Sequence, residues 1–168
     1  MLALFLSLML ILPVGALSEL DLPVLVPSAM EAVPDGETVE LYCGPTQGSF
    51  RNGDASLPLS EPFVYFGQHD CWAMVAPGTE DDFGPVGWIE SAACILPEEP
   101  QLTFDDALWA MVETDSYLTD DPDEKTPRAD VKRGENVLLL AQYGDFLYVQ
   151  YEGLDAPVRA FLPADAVL

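Results

Sequence analysis

"FVYFGQHDCWAMV", Phe63 to Val75, comes back later in the chain as "VLLLAQYGDFLYV", Val137 to Val149. Each is an apolar run, a polar turn, an aromatic and a second apolar run. β-Branched, aromatic and aliphatic residues crowd Phe63-Val64-Tyr65-Phe66 and Val137-Leu138-Leu139-Leu140, as strands require. Short polar turns, "GQHD" and "AQYGD", lead into Trp72-Ala73-Met74-Val75 and Phe146-Leu147-Tyr148-Val149. The pattern predicts a β-hairpin in both places.

Moving outward from the hairpins, the echo continues. Gln68 falls on Gln142, Trp72 on Phe146 and Val75 on Val149 at an offset of 74. "GWI" (Gly87 to Ile89) falls on "AFL" (Ala160 to Leu162) at 73, and Cys94-Ile95 on Val167-Leu168. Upstream, "LYCGP" (Leu41 to Pro45) lies on "LTDDP" (Leu118 to Pro122) at 77. Apolar and turn positions that recur while polar residues change are the trace of a duplicated fold. A third strand is expected at Val86 to Ile89 and at Val158 to Leu162. "ESAAC" and "PADAV" read as a helical turn before a last short strand. The fold class is therefore all-β, and so small a sheet is expected to curl into a barrel to hide its apolar face and edges.

The opening stretch, "MLALFLSLMLILPVGALS" (residues 1–18), is almost wholly apolar and ends in small residues suited to signal peptidase. It reads as a cleaved signal peptide, the alternative being an uncleaved anchor for which the run is short. Export to the periplasm or the extracellular space follows, with no membrane insertion of the mature chain. Twenty-nine acids oppose six bases, a net charge of −23. Such a surface repels phosphate backbones, so nucleic acid is excluded as a partner. Residues 19–35, with Pro23, Pro27 and Pro34, read as an extended arm. Residues 97–106, "PEEPQLTFDD", read as an acidic, proline-stiffened linker.

The order "LYCGPTQ … FVYFGQHDCWAMV … GWIESAACIL" resembles the bacterial SH3 (SH3b) domain of exported bacterial proteins. Gly44-Pro45, Trp72 and Gly87-Trp88-Ile89 occupy that family's turn, hairpin and closing-strand positions. Asp121-Pro122, Phe146 and Ala160-Phe161-Leu162 occupy them in the second copy. The resemblance implies two small SH3-like β-barrels in tandem, residues 36–96 and 107–168. "GSFRNGDASLPLSEP" is longer than usual for the family, and "TDDPDEKTPRAD" fills the same slot in the second copy. In that register Leu41 and Cys43 alternate toward the core of the opening strand and the first and last strands lie side by side, so Cys43–Cys94 is the preferred disulfide, with Cys71 paired to either partner left open. The bridge would close a loop of about fifty residues and add about 3–4 kcal/mol.

No nucleophile signature occurs. His69 and Cys71 stand two apart at a turn without an orienting partner, and they are not expected to form a catalytic pair. The chain is expected not to be an enzyme. No metal site and no cofactor are expected: the cysteines lack metal-ligand spacing. "DDPDE" offers oxygens but lacks the glycine and distal glutamate of a calcium loop, and reads as a solvated loop. Alternation turns Ala73 and Val75 inward, so Trp72 and Met74, with counterparts Phe146 and Tyr148, face away from their own core. They either pack against the neighbouring module or form a ligand-binding patch. Trp88 and Phe161 are expected in the core. The function expected is a non-catalytic binding or targeting module for peptidoglycan peptides or another cell-envelope component. The alternative is an acidic adaptor or inhibitor for a basic exported protein.

Overall fold

The computed structural model describes residues 21–46, 49 and 51–167. The signal peptide expected at 1–18 lies outside the described residues. The chain is all-β. Helix among the described residues is confined to single 3-10 turns, Ser91–Ala93 and Ala164–Ala166, where the helical turns were expected.

The strands are β1 (Ser28–Met30), β2 (Thr38–Tyr42), β3 (Arg51–Pro58), β4 (Phe63–His69), β5 (Trp72–Thr79), β6 (Asp82–Phe83) and β7 (Gly87–Glu90) in the first half. In the second half they are β8 (Leu108–Met111), β9 (Ser116–Leu118), β10 (Ala129–Val131), β11 (Asn136–Tyr143), β12 (Phe146–Tyr151) and β13 (Val158–Pro163). The first sheet runs β1-β4-β5-β7-β2-β3, with β6 added to β5. The second runs β8-β11-β12-β13. A bridge from Phe161 to Thr119 then carries it on to the β9–β10 pair. Strand for strand, the order is the same in both units.

The likeness extends to irregularities. Each hairpin carries a register shift, between Tyr65 and Gly67 in β4 and between Leu139 and Ala141 in β11. Phe66 and Leu140 are the residues skipped, at the offset of 74. Each hairpin closes on a two-residue turn whose first residue is left-handed: Asp70 at φ 53° and Gly144 at φ 53°. An extra residue at the same place in both copies bends both hairpins alike, as a conserved bulge does.

Among the described residues, three apolar cores hold the chain together. Phe63, Tyr65, Ala73, Val75, Ile89 and Leu41 pack inside the first unit. Leu147 and Val149, the counterparts of Ala73 and Val75, pack inside the second with Val137, Leu139 and Leu162. The third core lies between the units and is the aromatic one. It gathers Phe66, Trp72, Met74, Phe83 and Trp88 from the first with Phe146, Tyr148 and Phe161 from the second. Trp88 and Phe161 are buried, as expected, but in this shared core.

One expectation is corrected. The sheets are open: among the described residues no ladder joins β3 to β1 or β10 to β8, so neither unit is a closed barrel. Each sheet's outward aromatic face is covered by the other unit, which removes the need to close. The arm and the linker are also more than connections. The arm supplies β1, paired with β4. Ahead of β1, Leu25 N donates to Gln142 O (2.8 Å) and Gln142 N to Pro23 O (2.9 Å), on the second unit. The linker does the reverse, with Gln68 N donating to Pro100 O (2.9 Å) and Leu102 N to Gln68 O (2.7 Å), on the first. Pro23-Val24-Leu25 and Pro100-Gln101-Leu102 stand 77 residues apart. Each therefore enters its own unit by way of the other's hairpin. Gly67 permits the close approach: a Cβ there would lie 2.7 Å from Pro100 O.

Candidate functional site

Where the units meet, equivalent residues exchange equivalent bonds. Val86 N donates to Asp120 O at 2.7 Å, and Arg159 N donates to Cys43 O at 2.7 Å. Val86 and Arg159 correspond at the offset of 73, Cys43 and Asp120 at 77. The bond is thus made twice with roles reversed, the signature of a self-complementary interface about a two-fold axis.

A cavity of about 640 Å³ opens around these two bonds. Cys43, Asn52 and Pro85 line it from the first unit; Asp120, Arg128 and Arg159 line it from the second. Leu118, Leu154 and Val158 make part of its apolar wall. Asn52 is buried, its amide Nδ2 donating to Val86 O at 3.1 Å. Asp120 is buried too, and its Oδ1 accepts from Arg128 Nε at 2.8 Å. That bond raises the Arg128 guanidinium above its ordinary range. Arg159 lies over the Phe104 ring at 4.8 Å and the Trp88 ring at 5.9 Å, with Nε donating to Gln150 Oε1 at 3.2 Å. Burial lowers its pKa.

Two atoms of these lining residues, Asp120 Oδ2 and Arg159 Nη1, are buried without a hydrogen-bond partner among the described residues. A buried polar atom left unpaired costs about 1–3 kcal/mol, more when charged. An acceptor on one residue and a donor on the other are the pair of needs that a ligand bearing both signs of charge meets. Both atoms are fully covered, whereas Arg128 on the same cavity wall is half-exposed.

The Cys43 thiol is pushed up to about 11, first by burial and then by the Asp120 charge. The folded chain therefore keeps this proton where the unfolded chain, at the ordinary value of 9.0, has released it. The stability contribution is complete below pH 9 and lost as pH rises through about 11. At pH 8, iodoacetamide is expected to modify exposed Cys71 in the folded protein and Cys43 only on unfolding, as peptide mass spectrometry will read.

The disulfide expected between Cys43 and Cys94 is absent; all three thiols are free. Strand β2 ends at Tyr42, and the chain bends at Gly44-Pro45, so alternation no longer carries Cys43 inward beside Leu41. Cys43 packs against the second unit's core, whereas Cys94 packs against the first. Trp72, Met74, Phe146 and Tyr148 are brought together, but under cover: all four are buried in the shared core. Trp88 Nε1 donates to Tyr148 OH across the interface at 2.7 Å, and Tyr42 meets Trp72 edge-on. Burial raises the Tyr148 hydroxyl pKa. The open patch these four side chains offered as one reading is covered by the opposite unit.

His69 is engaged elsewhere than with Cys71. Its Nδ1–H donates to Leu102 O at 2.8 Å and its ring packs on Phe104, which clamps the linker. In "DDPDE", Asp121 is not solvated. Its Oδ1 accepts from Asp123 N (3.1 Å) and Glu124 N (2.9 Å), so its carboxylate caps its own loop. No cluster of metal-ligating groups occurs among the described residues. Sequence reasoning missed Asn52, Asp120, Arg128 and Arg159. The one signal pointing at Asp120 was its place opposite Cys43 in the duplicated turn.

Compared with protein families, curated proteins and solved structures, the chain matches none.

Proposed function

We propose that this chain is an exported, non-catalytic binding module built from two SH3b-like units in tandem. Its ligand, in this reading, is a peptidoglycan peptide or another envelope component taken in the cleft between the units. The observation that supports it best is the cavity of about 640 Å³ bounded by Asp120 and Arg159, each with one unpartnered buried atom. A cleft of this volume suits a small ligand, since such sites span about 300–1,000 Å³. A short peptide carries both an ammonium group for Asp120 and a carboxylate for Arg159. The protonated Cys43 thiol is a poor nucleophile, which favours docking over covalent chemistry.

Sedimentation with purified peptidoglycan tests the reading. The protein is expected in the pellet at low and high salt. Leu154→Trp, a bulky change at a 43 % exposed position on the cleft wall, is expected in the supernatant. Wild-type protein that stays in the supernatant at both salt concentrations removes the wall reading.

A second reading, an acidic adaptor for a basic exported protein, is favoured by the charge. Of the few bases, Arg128 is held by Asp120, Lys132 by Asp115 and Asp130, and Arg159 by its ring stack. The remaining acids leave a strongly negative field, and pairing through it weakens steeply with salt, whereas cleft docking does not.

A further inference from the structure

Among the described residues, strand β8 is the outer strand of the second sheet and pairs on one side only, with β11. Val112 N donates to Glu135 O at 2.8 Å, and the ladder continues with Ala110 opposite Val137 and Leu108 opposite Leu139. In an antiparallel pair, inward and outward backbone groups alternate. The N–H and C=O groups of Trp109 and Met111 therefore face away from β11.

The equivalent edge of the first unit is blocked. There Ala29 occupies the place of Trp109, and its outward N–H donates to Glu80 Oε1 at 2.8 Å. Among the described residues no side chain takes the corresponding edge at Trp109. Large apolar side chains are exposed on this same short strand: Leu108 at 45 %, Trp109 at 61 % and Met111 at 43 %. Open, apolar edge strands are templates for pairing, and exported or soluble proteins ordinarily blunt them, as Glu80 does in the first unit. The flanks are acidic, with Asp105-Asp106 before the strand and Glu113 after it.

We infer that β8 is a docking edge, on which an extended segment of a partner protein adds as a further strand. The segment alternates apolar residues, which cover Trp109 and Met111, with lysines or arginines, which meet the acidic flanks. A second copy of this chain fits less well, because self-pairing brings together two bodies of net charge −23. The inference rests on the adaptor reading and gives it a place on the molecule remote from the cleft.

Two synthetic heptapeptides of equal charge test it, one alternating Lys and Val, the other alternating Lys and Pro. The first forms a strand; in the second, proline at every other position removes those amide donors and sets the chain toward a polyproline II helix, whose remaining N–H groups do not line up along one edge. At physiological salt, the Lys–Val peptide is expected to shift the amide resonances of Trp109 and Met111 and to move indole emission to the blue. The Lys–Pro peptide is expected to do neither. Met111→Pro removes one outward N–H without touching the inward ladder, and is expected to weaken the Lys–Val peptide by about tenfold. Trp109→Lys, which leaves the backbone edge intact, is expected to weaken it similarly through like charge. Unchanged amide spectra for β12 and β13 establish that both variants are folded.

Equal binding of the two peptides overturns the inference, as do shifts that map away from β8. So does a homodimer joined at β8, seen by sedimentation equilibrium. A basic protein that binds without moving the Trp109 amide removes the docking edge while leaving the adaptor reading intact.

Discussion

Replacing Trp88 by alanine is expected to destabilise the chain by about 3–5 kcal/mol and to loosen both units together. Trp88 is wholly buried, yet it does not fill its own unit's core. Its ring lies in the shared core, within edge contact of His69 and Phe104 and beneath Arg159. Its Nε1–H donates to Tyr148 of the other unit. Truncation leaves a cavity at the point where the units touch and strands a buried hydroxyl and a buried guanidinium without their neighbour. Tyr148→Phe, which removes only the acceptor, is expected to cost about 1–3 kcal/mol. Urea unfolding followed by far-ultraviolet circular dichroism and by tryptophan emission should give coincident transitions in the wild type, because the units share a core. In Trp88→Ala the midpoint falls and both probes still move as one. If the second unit kept its wild-type midpoint, the shared core would not be what couples them.

The hairpins were legible because a strand buried on one face writes its alternation into the sequence, and because the same alternation occurs twice. Ala73, Val75, Leu147 and Val149 face their unit cores as read. Alternation says which side chains leave that core; it does not say what receives them. Trp72, Met74, Phe146 and Tyr148 are aromatic or soft side chains that lie outside their own unit's core. Only the three-dimensional arrangement shows that each set is received by the opposite unit. Cys43 was misread for a local reason: the register was carried past Tyr42 into a bend that breaks it. Asp120 and Asp121 were misread because a run of acids and prolines looks solvated, whereas Arg128 and the loop's own amides hold both carboxylates in place.

The crossing of arm and linker did leave a mark. Pro-x-Leu occurs at Pro23 and at Pro100, separated by the 77 residues that also separate "LYCGP" from "LTDDP". Read together, those spacings place the start of each repeat well before its first strand. Proline suits both segments physically, since each touches the neighbouring hairpin through only a few backbone bonds and needs few donors of its own. The site follows from the same duplication. Two like units meeting about a two-fold axis bring corresponding turns together, one thiol-bearing at Cys43 and the other acidic at Asp120. The cleft thus joins chemistry that neither copy holds alone.

Leu22 gives the sharpest test of this interlocking. It precedes every strand of the first unit, yet it is buried in the core of the second with Val137, Leu139 and Leu162. Its carbonyl accepts from Gln142 Nε2 at 3.4 Å, beside the two backbone bonds that fix Pro23 and Leu25 to the same residue. Leu22→Ala is expected to cost about 2–5 kcal/mol, the range for truncating a buried leucine. Hydrogen exchange should localise the damage. Protection is expected to fall most in β11, β12 and β13, more than a hundred residues away in sequence, and least at the β2–β3 pair of the adjacent unit. An arm that merely tethered the first unit would give the opposite pattern, with a cost below about 0.5 kcal/mol and no change in β11. The direction of the loss therefore decides whether the second unit is completed by the chain that leads into the first.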